Sequence, residues 1–189
     1  MRTYNYYAVA GTMLHHVIEN YMTVDTSDNK DRMSLENIIY NELSNTIDML
    51  KAEPNNVASN LVIIQTILNG IENISLWMFS VVKLFETQFN EFKIGKDIEY
   101  YNGGFEVEIY EPIKGLDINF KGFVDFIFLD KLTNTYYIWD FKVSKKFWDK
   151  KKKTDLVKIS QTAYYKYFLT QKLLSQNVKD IKVETCYVN

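Results

Sequence analysis

The chain has 189 residues, a net charge of −2 and an apolar share of 47%, with aromatic residues making up 15%. This length and composition exclude a disordered chain and suffice for one domain with a full core. The charge excludes a generally basic protein, so any DNA-binding surface has to be a local patch. The single cysteine, Cys186, excludes internal disulfides and any multi-cysteine zinc or iron–sulfur centre.

The amino-terminal sequence MRTYNYYAVAG has neither the basic segment nor the apolar run of a signal peptide. The uninterrupted apolar runs of the chain are far shorter than a membrane span. We therefore predict a cytoplasmic protein without membrane contact. The abundance of Lys, Asn, Ile and Tyr is typical of a low-GC microbe or its phage.

Residues 6–22 have the apolar periodicity of an amphipathic helix. Gly11, His15 and Glu19 recur every four residues and therefore share one face of this helix. The neighbouring His16 points about 100° away from His15 and is interpreted as structural. The predicted buried side chains are Met13, Leu14, Val17, Ile18 and Tyr21.

The stretch from residue 25 to residue 100 begins with a polar linker and continues with three predicted helices. The first is capped by Ser34, the second begins near Pro54, and Gly70 separates the second from the third. We interpret this stretch as a helical insertion packed beside a sheet, because it contains no recognisable site chemistry. The predicted buried positions are Val57, Leu61, Ile64 and Leu68 in the second helix and Ile74, Met78, Val81, Phe85 and Phe89 in the third.

A strand is predicted at residues 105–111, FEVEIYE, after a turn at Gly103 and Gly104. Alternation places its apolar residues on one face and its acidic residues on the other. The acidic face is interpreted as a solvated edge, with the alternative that Glu108 adds a carboxylate to a neighbouring metal site. The two predicted faces are Phe105, Val107 and Ile109 against Glu106, Glu108 and Tyr110.

Two further predicted strands, residues 119–129 and 135–143, each carry an acid among apolar neighbours. By alternation, Asp140 and Lys142 project side by side from the second of these strands. An ionised carboxylate in apolar surroundings is costly unless it is paired or binds a metal. We therefore predict that Asp125, Asp140 and Lys142 converge on a divalent-cation site.

A basic segment follows this strand, with eight lysines between residues 142 and 158. A run of lysines is usually a solvated loop, but this one leaves the predicted metal site directly, where a phosphate backbone would have to lie. A helix at residues 155–175 and a strand at residues 181–188 complete the chain. The predicted DNA contacts, which include one aromatic ring able to stack on bases, are Lys145, Lys146, Trp148, Lys150, Lys151, Lys152 and Lys153.

Four short motifs occur in order along these elements: Gly11-x-x-x-His15, Gly122-x-x-Asp125, Asp140-x-Lys142 and Gln161-x-x-x-Tyr165. Together they resemble the RecB-like branch of the PD-(D/E)xK nucleases, with Val124 standing where the family name has a proline. The resemblance implies a restriction-endonuclease-like α/β core, in which a central mixed β-sheet is flanked by helices. It also implies one nuclease domain over residues 1–189, with residues 25–100 as a helical insertion and without the iron–sulfur cluster of some relatives.

The resemblance further implies a Mg²⁺ or Mn²⁺ ion bound by His15, Asp125, Asp140 and the main-chain carbonyl of Phe141. Glu19 and Glu108 are further candidate ligands. Asp125, Asp140 and Lys142 are the implied catalytic residues, and the lysine would orient the attacking water. Gln161 and Tyr165 would position the DNA strand or the lysine.

The resulting prediction is a metal-dependent deoxyribonuclease that hydrolyses DNA phosphodiester bonds, acting as an exonuclease beside a helicase, recombination or replication partner. The motifs alone leave attack at chain ends or at internal bonds open. The alternative is a non-cleaving DNA-binding or protein-interaction module on the same fold. A third interpretation is a structural α/β domain in which Asp140 and Lys142 form a buried ion pair.

Overall fold

The computed structural model describes residues 6–23, 35–141, 156–176, 178 and 182–188. The chain divides into two compact units, Met1–Phe92 and Lys93–Asn189. The predicted α/β class with a mixed sheet is confirmed, whereas the single nuclease domain with an insertion stays a prediction. The first unit carries the helices α1 (Tyr6–Thr23), α2 (Leu35–Ala52), α3 (Val57–Asn69) and α4 (Ile71–Phe92). The second carries β1 (Ile98–Pro112), β2 (Asn119–Asp130), β3 (Thr135–Phe141), α5 (Leu156–Ser175) and β4 (Lys182–Val188).

Helix α1 packs against α2 and α4 within the helical unit. Its predicted stripe is confirmed, since Met13, Leu14, Val17, Ile18 and Tyr21 are all buried. The Tyr21 hydroxyl donates a hydrogen bond to Glu86 at 2.9 Å and accepts one from Lys83 Nζ. Lys83 Nζ also donates to Glu86 Oε2 at 2.9 Å. The hydrogen bonds of Lys83 to Tyr21 and, second, to Glu86 raise the pKa of Lys83 because they favour its charged form.

The predicted buried face of α3 is wrong. Val57, Leu61 and Leu68 are about half exposed or more, and the side chains that point inwards are Asn60, Ile63, Ile64 and Ile67. The Asn60 side-chain amide donates to the carbonyl of Leu50 at 3.0 Å, which satisfies a carbonyl in the last turn of α2. Asn60 lies on the buried face of α3 together with the isoleucines, and this face adjoins the predicted one.

The break at Gly70 is confirmed, because α3 and α4 meet there at an angle of 77°. Pro54 lies in the turn before α3 rather than in its first turn. The prediction for α4 is wrong at one position, because Val82 is buried and the predicted Val81 is not. Within the described ranges, no single helix is both long and apolar enough to cross a membrane, and only α3 and α4 taken as a bent pair meet that criterion.

The sheet has the order β1-β2-β3-β4, with antiparallel pairing from β1 to β3 and parallel pairing of β3 with β4. A parallel neighbour requires a crossover, and α5 lies in the connection between β3 and β4. Helix α5 packs against the sheet. The buried side chains shared by helix and sheet are Val107, Ile109, Val124, Ile127, Tyr136, Ile138, Tyr165, Phe168, Leu169, Leu173 and Val183.

The predicted turn at Gly103 and Gly104 is also wrong, because both residues lie inside β1, which begins at Ile98. The pairing of β1 with β2 shifts register between Tyr100 and Phe105, and both glycines have φ near +85°. A Cβ on Gly104 would lie 3.1 Å from the rings of Tyr100 and Phe126. The glycines therefore form a bulge within a long strand. In the sequence alone, the same two residues are equally typical of a turn.

Candidate metal centre

Strands β1 and β2 both change face at the same level of the sheet. Val107 and Val124 belong to the core beneath α5, whereas the rings of Phe105 and Phe126 stack on each other with centroids 4.2 Å apart. Glu106, between the two residues of β1, has φ +46°. The predicted common face for Phe105 and Val107 is therefore wrong, since the strand twists at Glu106.

Asp125 lies opposite this twist, at the point where regular pairing of β2 with β3 begins. The first pair is Phe126 of β2 with Trp139 of β3. Asp125 is the residue before Phe126, and Asp140 is the residue after Trp139. Asp125 Oδ2 accepts a hydrogen bond of 2.6 Å from the main-chain N–H of Phe141. The carboxylate of β2 thus contacts the peptide that follows Asp140. The two acids singled out in the sequence lie on neighbouring strands.

The two acids differ in their exposure to solvent. Asp125 is half-buried, and Asp140 is 1% exposed. Phe141, whose carbonyl is a predicted ligand, ends β3 and is 5% exposed. A buried carboxylate at this end of β3 is costly unless it is paired or binds a cation.

Glu106 contributes a further carboxylate that sequence reasoning interpreted as solvated. One of its oxygens lies within 4.8 Å of an oxygen of Asp125. The candidate Glu108 lies elsewhere, with its carboxylate 3.4 Å from Lys121 Nζ. The signal that could have identified Glu106 is the glycine pair two residues upstream, because a bulge changes which acid faces the next strand.

The Gln161-x-x-x-Tyr165 motif lies on α5 and contacts the Gly122 motif on β2. Gln161 Nε2 donates to Tyr165 Oη at 3.0 Å, as expected for polar side chains one helical turn apart. A Cβ on Gly122 would lie 2.7 Å from Cε1 of Tyr165. Gly122 is therefore needed because the tyrosine ring occupies the space of a side chain, and the two motifs form one packed contact.

His15 and Glu19 lie on α1 in the helical unit, where they are half-buried along the same face as Gly11. The next residue, His16, lies on another face with Nδ1 2.9 Å from Glu42 Oε1 of α2. This contact between two helices agrees with the structural interpretation of His16. The role of His15 and Glu19 as metal ligands stays a prediction.

Several predicted functional residues lie outside the part of the chain that the structure describes. They are Lys142, Lys145, Lys146, Trp148, Lys150, Lys151, Lys152 and Lys153.

No family model, curated protein or solved structure matches this chain. The geometry of the sheet unit and the four motifs are therefore the basis for a functional assignment.

Proposed function

We propose that this protein is a divalent-metal-dependent deoxyribonuclease of the RecB-like PD-(D/E)xK type, built on a restriction-endonuclease-like core. One observation carries the proposal: Asp125 Oδ2 accepts the Phe141 N–H at 2.6 Å. This bond brings the acid of the Gly122-x-x-Asp125 motif to the middle residue of the Asp140-x-Lys142 motif. Two motifs separated along the chain are therefore in contact, which a single nuclease site would require.

The donor set fits a hard divalent cation. Two oxygens bound to one Mg²⁺ at about 2.1 Å each are at most about 4.2 Å apart. The oxygens of Glu106 and Asp125 lie within 4.8 Å of each other, and Glu106 is exposed and able to rotate. Asp140, the Phe141 carbonyl and His15 complete the proposed ligands, and an imidazole among carboxylates favours Mn²⁺ over Mg²⁺. When bound, such an ion lowers the pKa of a water molecule and neutralises charge on a phosphoryl group.

The chain's own side chains would supply the remaining functions. Lys142 would orient the attacking water and stabilise the negative charge that develops on the phosphoryl oxygens. Gln161 and Tyr165, which already hydrogen-bond each other, would fix the position of the DNA strand or of the lysine. The lysines between residues 145 and 153 would neutralise the DNA backbone, which makes binding salt-dependent.

A non-cleaving module is the alternative function, in which the hydrogen bond of Asp125 to Phe141 would only hold β2 and β3 together. A carboxylate that holds two strands together needs no metal. The nuclease and the structural role differ in what they require of Glu106 and Asp140. A metal site uses these acids as ligands, whereas a purely structural Asp125 does not need further acids nearby.

The decisive experiment combines Mn²⁺ titration calorimetry with a cleavage assay on linear and closed circular DNA. We expect metal binding and cleavage for the wild-type protein, and metal binding without cleavage for Lys142→Ala. The matched control is Lys131→Ala, since Lys131 is an exposed lysine in the turn that follows β2. DNA binding without cleavage by the wild-type protein would establish the non-cleaving module. A Lys142→Ala variant that still binds metal and still cleaves DNA would contradict the mechanism. Cleavage of circular DNA would exclude a strict exonuclease.

A further inference from the structure

A groove between α2 and α4 lies within the helical unit and has a volume of roughly 380 Å³. Ile39, which is 1% exposed, and the partly buried Phe79 form its base. Tyr40 and Leu76 line its sides and are 50% and 66% exposed. Large apolar side chains that remain this accessible around a concave base are typical of a surface that binds a partner.

The charged groups lining this groove all have the same sign. Glu36 in the first turn of α2 and Glu72 in the first turn of α4 are both exposed. Neither glutamate forms an ion pair with any residue that the structure describes. Across residues 6–23 and 35–92 there are eight acidic residues and only two lysines. Within these described ranges the acids outnumber the cations, so the charge that they place at the groove is negative.

We propose that this groove binds a basic amphipathic helix of a partner protein. The apolar side chains of that helix would cover Ile39, Leu76 and Phe79, and its lysines or arginines would pair with Glu36 and Glu72. This arrangement follows the general helix-in-groove mode, in which apolar anchors at helical spacing give affinity. Charge complementarity identifies the occupant, because an acidic rim repels nucleic acid and anionic lipid and selects basic protein segments.

The negative rim also argues against an isologous contact of this surface with itself in a second copy. Such a contact would bring Glu36 and Glu72 against the same acids of the other chain, and like charges at a contact are destabilising. The proposed surface does not depend on the proposed nuclease activity, because all of its residues lie on α2 and α4.

The test measures binding of a synthetic peptide to the full chain by fluorescence anisotropy. The probe is a helix-forming peptide of about 18 residues with Leu and Phe on one face and Lys on the other. Its matched control has Glu in place of every Lys. We expect the basic peptide to bind and the acidic peptide not to bind. Affinity for the basic peptide should fall as salt is added, because the glutamates are exposed.

Variants localise the binding. The double variant Glu36→Lys/Glu72→Lys should weaken binding at least about tenfold. The control Glu91→Lys makes the same charge change on an exposed position of α4 outside the groove, and should change the affinity less than about twofold. Leu76→Asp should also abolish tight binding, because it places a charge between the apolar sides. Circular dichroism verifies that each variant keeps its helices.

Several results would overturn the proposal. One is equal weakening by Glu91→Lys and by the groove variants, and another is binding of the acidic peptide. Binding of the chain to phosphatidylglycerol vesicles through Leu76 would identify a membrane surface instead. Concentration-dependent self-association that Leu76→Asp removes, without peptide binding, would identify a second copy as the occupant.

Discussion

Strand β2 carries two acids, Asp125 and Asp130, and their surroundings are opposite in kind. Donors converge on Asp130, which is 1% exposed: the main-chain N–H groups of Leu132 and Asp97 and the hydroxyl of Thr133 all donate to its carboxylate. Burial alone would raise the pKa of Asp130, but these hydrogen bonds outweigh burial and lower it.

Asp125, by contrast, lies close to another acid. Its carboxylate accepts one N–H from Phe141 and has an oxygen within 4.8 Å of one of Glu106, and buried Asp140 lies on the neighbouring strand. Setting carboxylates together costs stability unless a cation joins them. Asp130, whose carboxylate accepts three hydrogen bonds, is therefore a structural anchor, whereas Asp125, close to a second acid, is a candidate site residue.

The largest expected effect comes from removing either site acid. Asp125→Ala and Asp140→Ala should each abolish metal binding and reduce DNA cleavage at least about a thousandfold, because each removes an anionic ligand. Mn²⁺ calorimetry and a cleavage assay measure the two effects. Asp117→Ala, on an exposed loop residue, serves as the control and should keep both activities. Full cleavage by either site variant would reduce that acid to a structural role.

Asp130→Asn should have the opposite profile, with metal binding unchanged and stability lowered by about 1–3 kcal/mol. The lowered pKa of Asp130 means that its carboxylate stabilises the fold above the unfolded-state pKa of about 3.9. That contribution is lost as the pH falls through the lower pKa of the folded state. Urea unfolding between neutral and acidic pH should therefore show a smaller loss of stability in the variant than in the wild type.

A wild-type and a variant protein with the same acid dependence would contradict this role of Asp130. Loss of metal affinity in Asp130→Asn would contradict the distinction between Asp130 and Asp125, because Asp130 would then belong to the metal site.

Glu106→Gln should weaken Mn²⁺ binding about tenfold without destabilising the metal-free protein. Glu106 is exposed, so its replacement by an isosteric amide removes charge rather than packing. The matched variant Glu108→Gln lies two residues further along the same strand, beside Lys121, and should leave metal affinity unchanged. Calorimetry of both variants decides between the two acids, and a larger effect at Glu108 would restore the sequence-based candidate.

Much of the sheet could be predicted because its sequence signals are redundant. The aromatic and β-branched runs of β2 and β3 define both strands, and a short loop between them forces antiparallel neighbours. Once the strands pair, Asp125 and Asp140 lie on adjacent strands, as their motifs indicated.

Other features could not be predicted because one signal fits two structures. Gly103-Gly104 is compatible with a turn or with a bulge, and only pairing with β2 selects the bulge that brings Glu106 to Asp125. Helix α3 has apolar residues around most of its circumference, so periodicity alone does not fix its buried face. The buried face includes Asn60, whose contact with the Leu50 carbonyl forms only in the tertiary structure.

The smallest expected effect concerns the adjacent histidines of α1, where the same distinction between anchor and site applies. His16 contacts Glu42 at 2.9 Å, and its side chain is 47% exposed, so solvent screens the pair. His16→Ala should therefore lower stability by less than about 1 kcal/mol and leave metal binding and cleavage unchanged. His15→Ala should keep the stability and weaken Mn²⁺ binding, because it removes the proposed imidazole ligand. Thermal unfolding and calorimetry on the two variants separate the roles. If His16→Ala were inactive and His15→Ala active, the roles of the two histidines would be reversed. The functional face of α1 would then be the side that contacts α2.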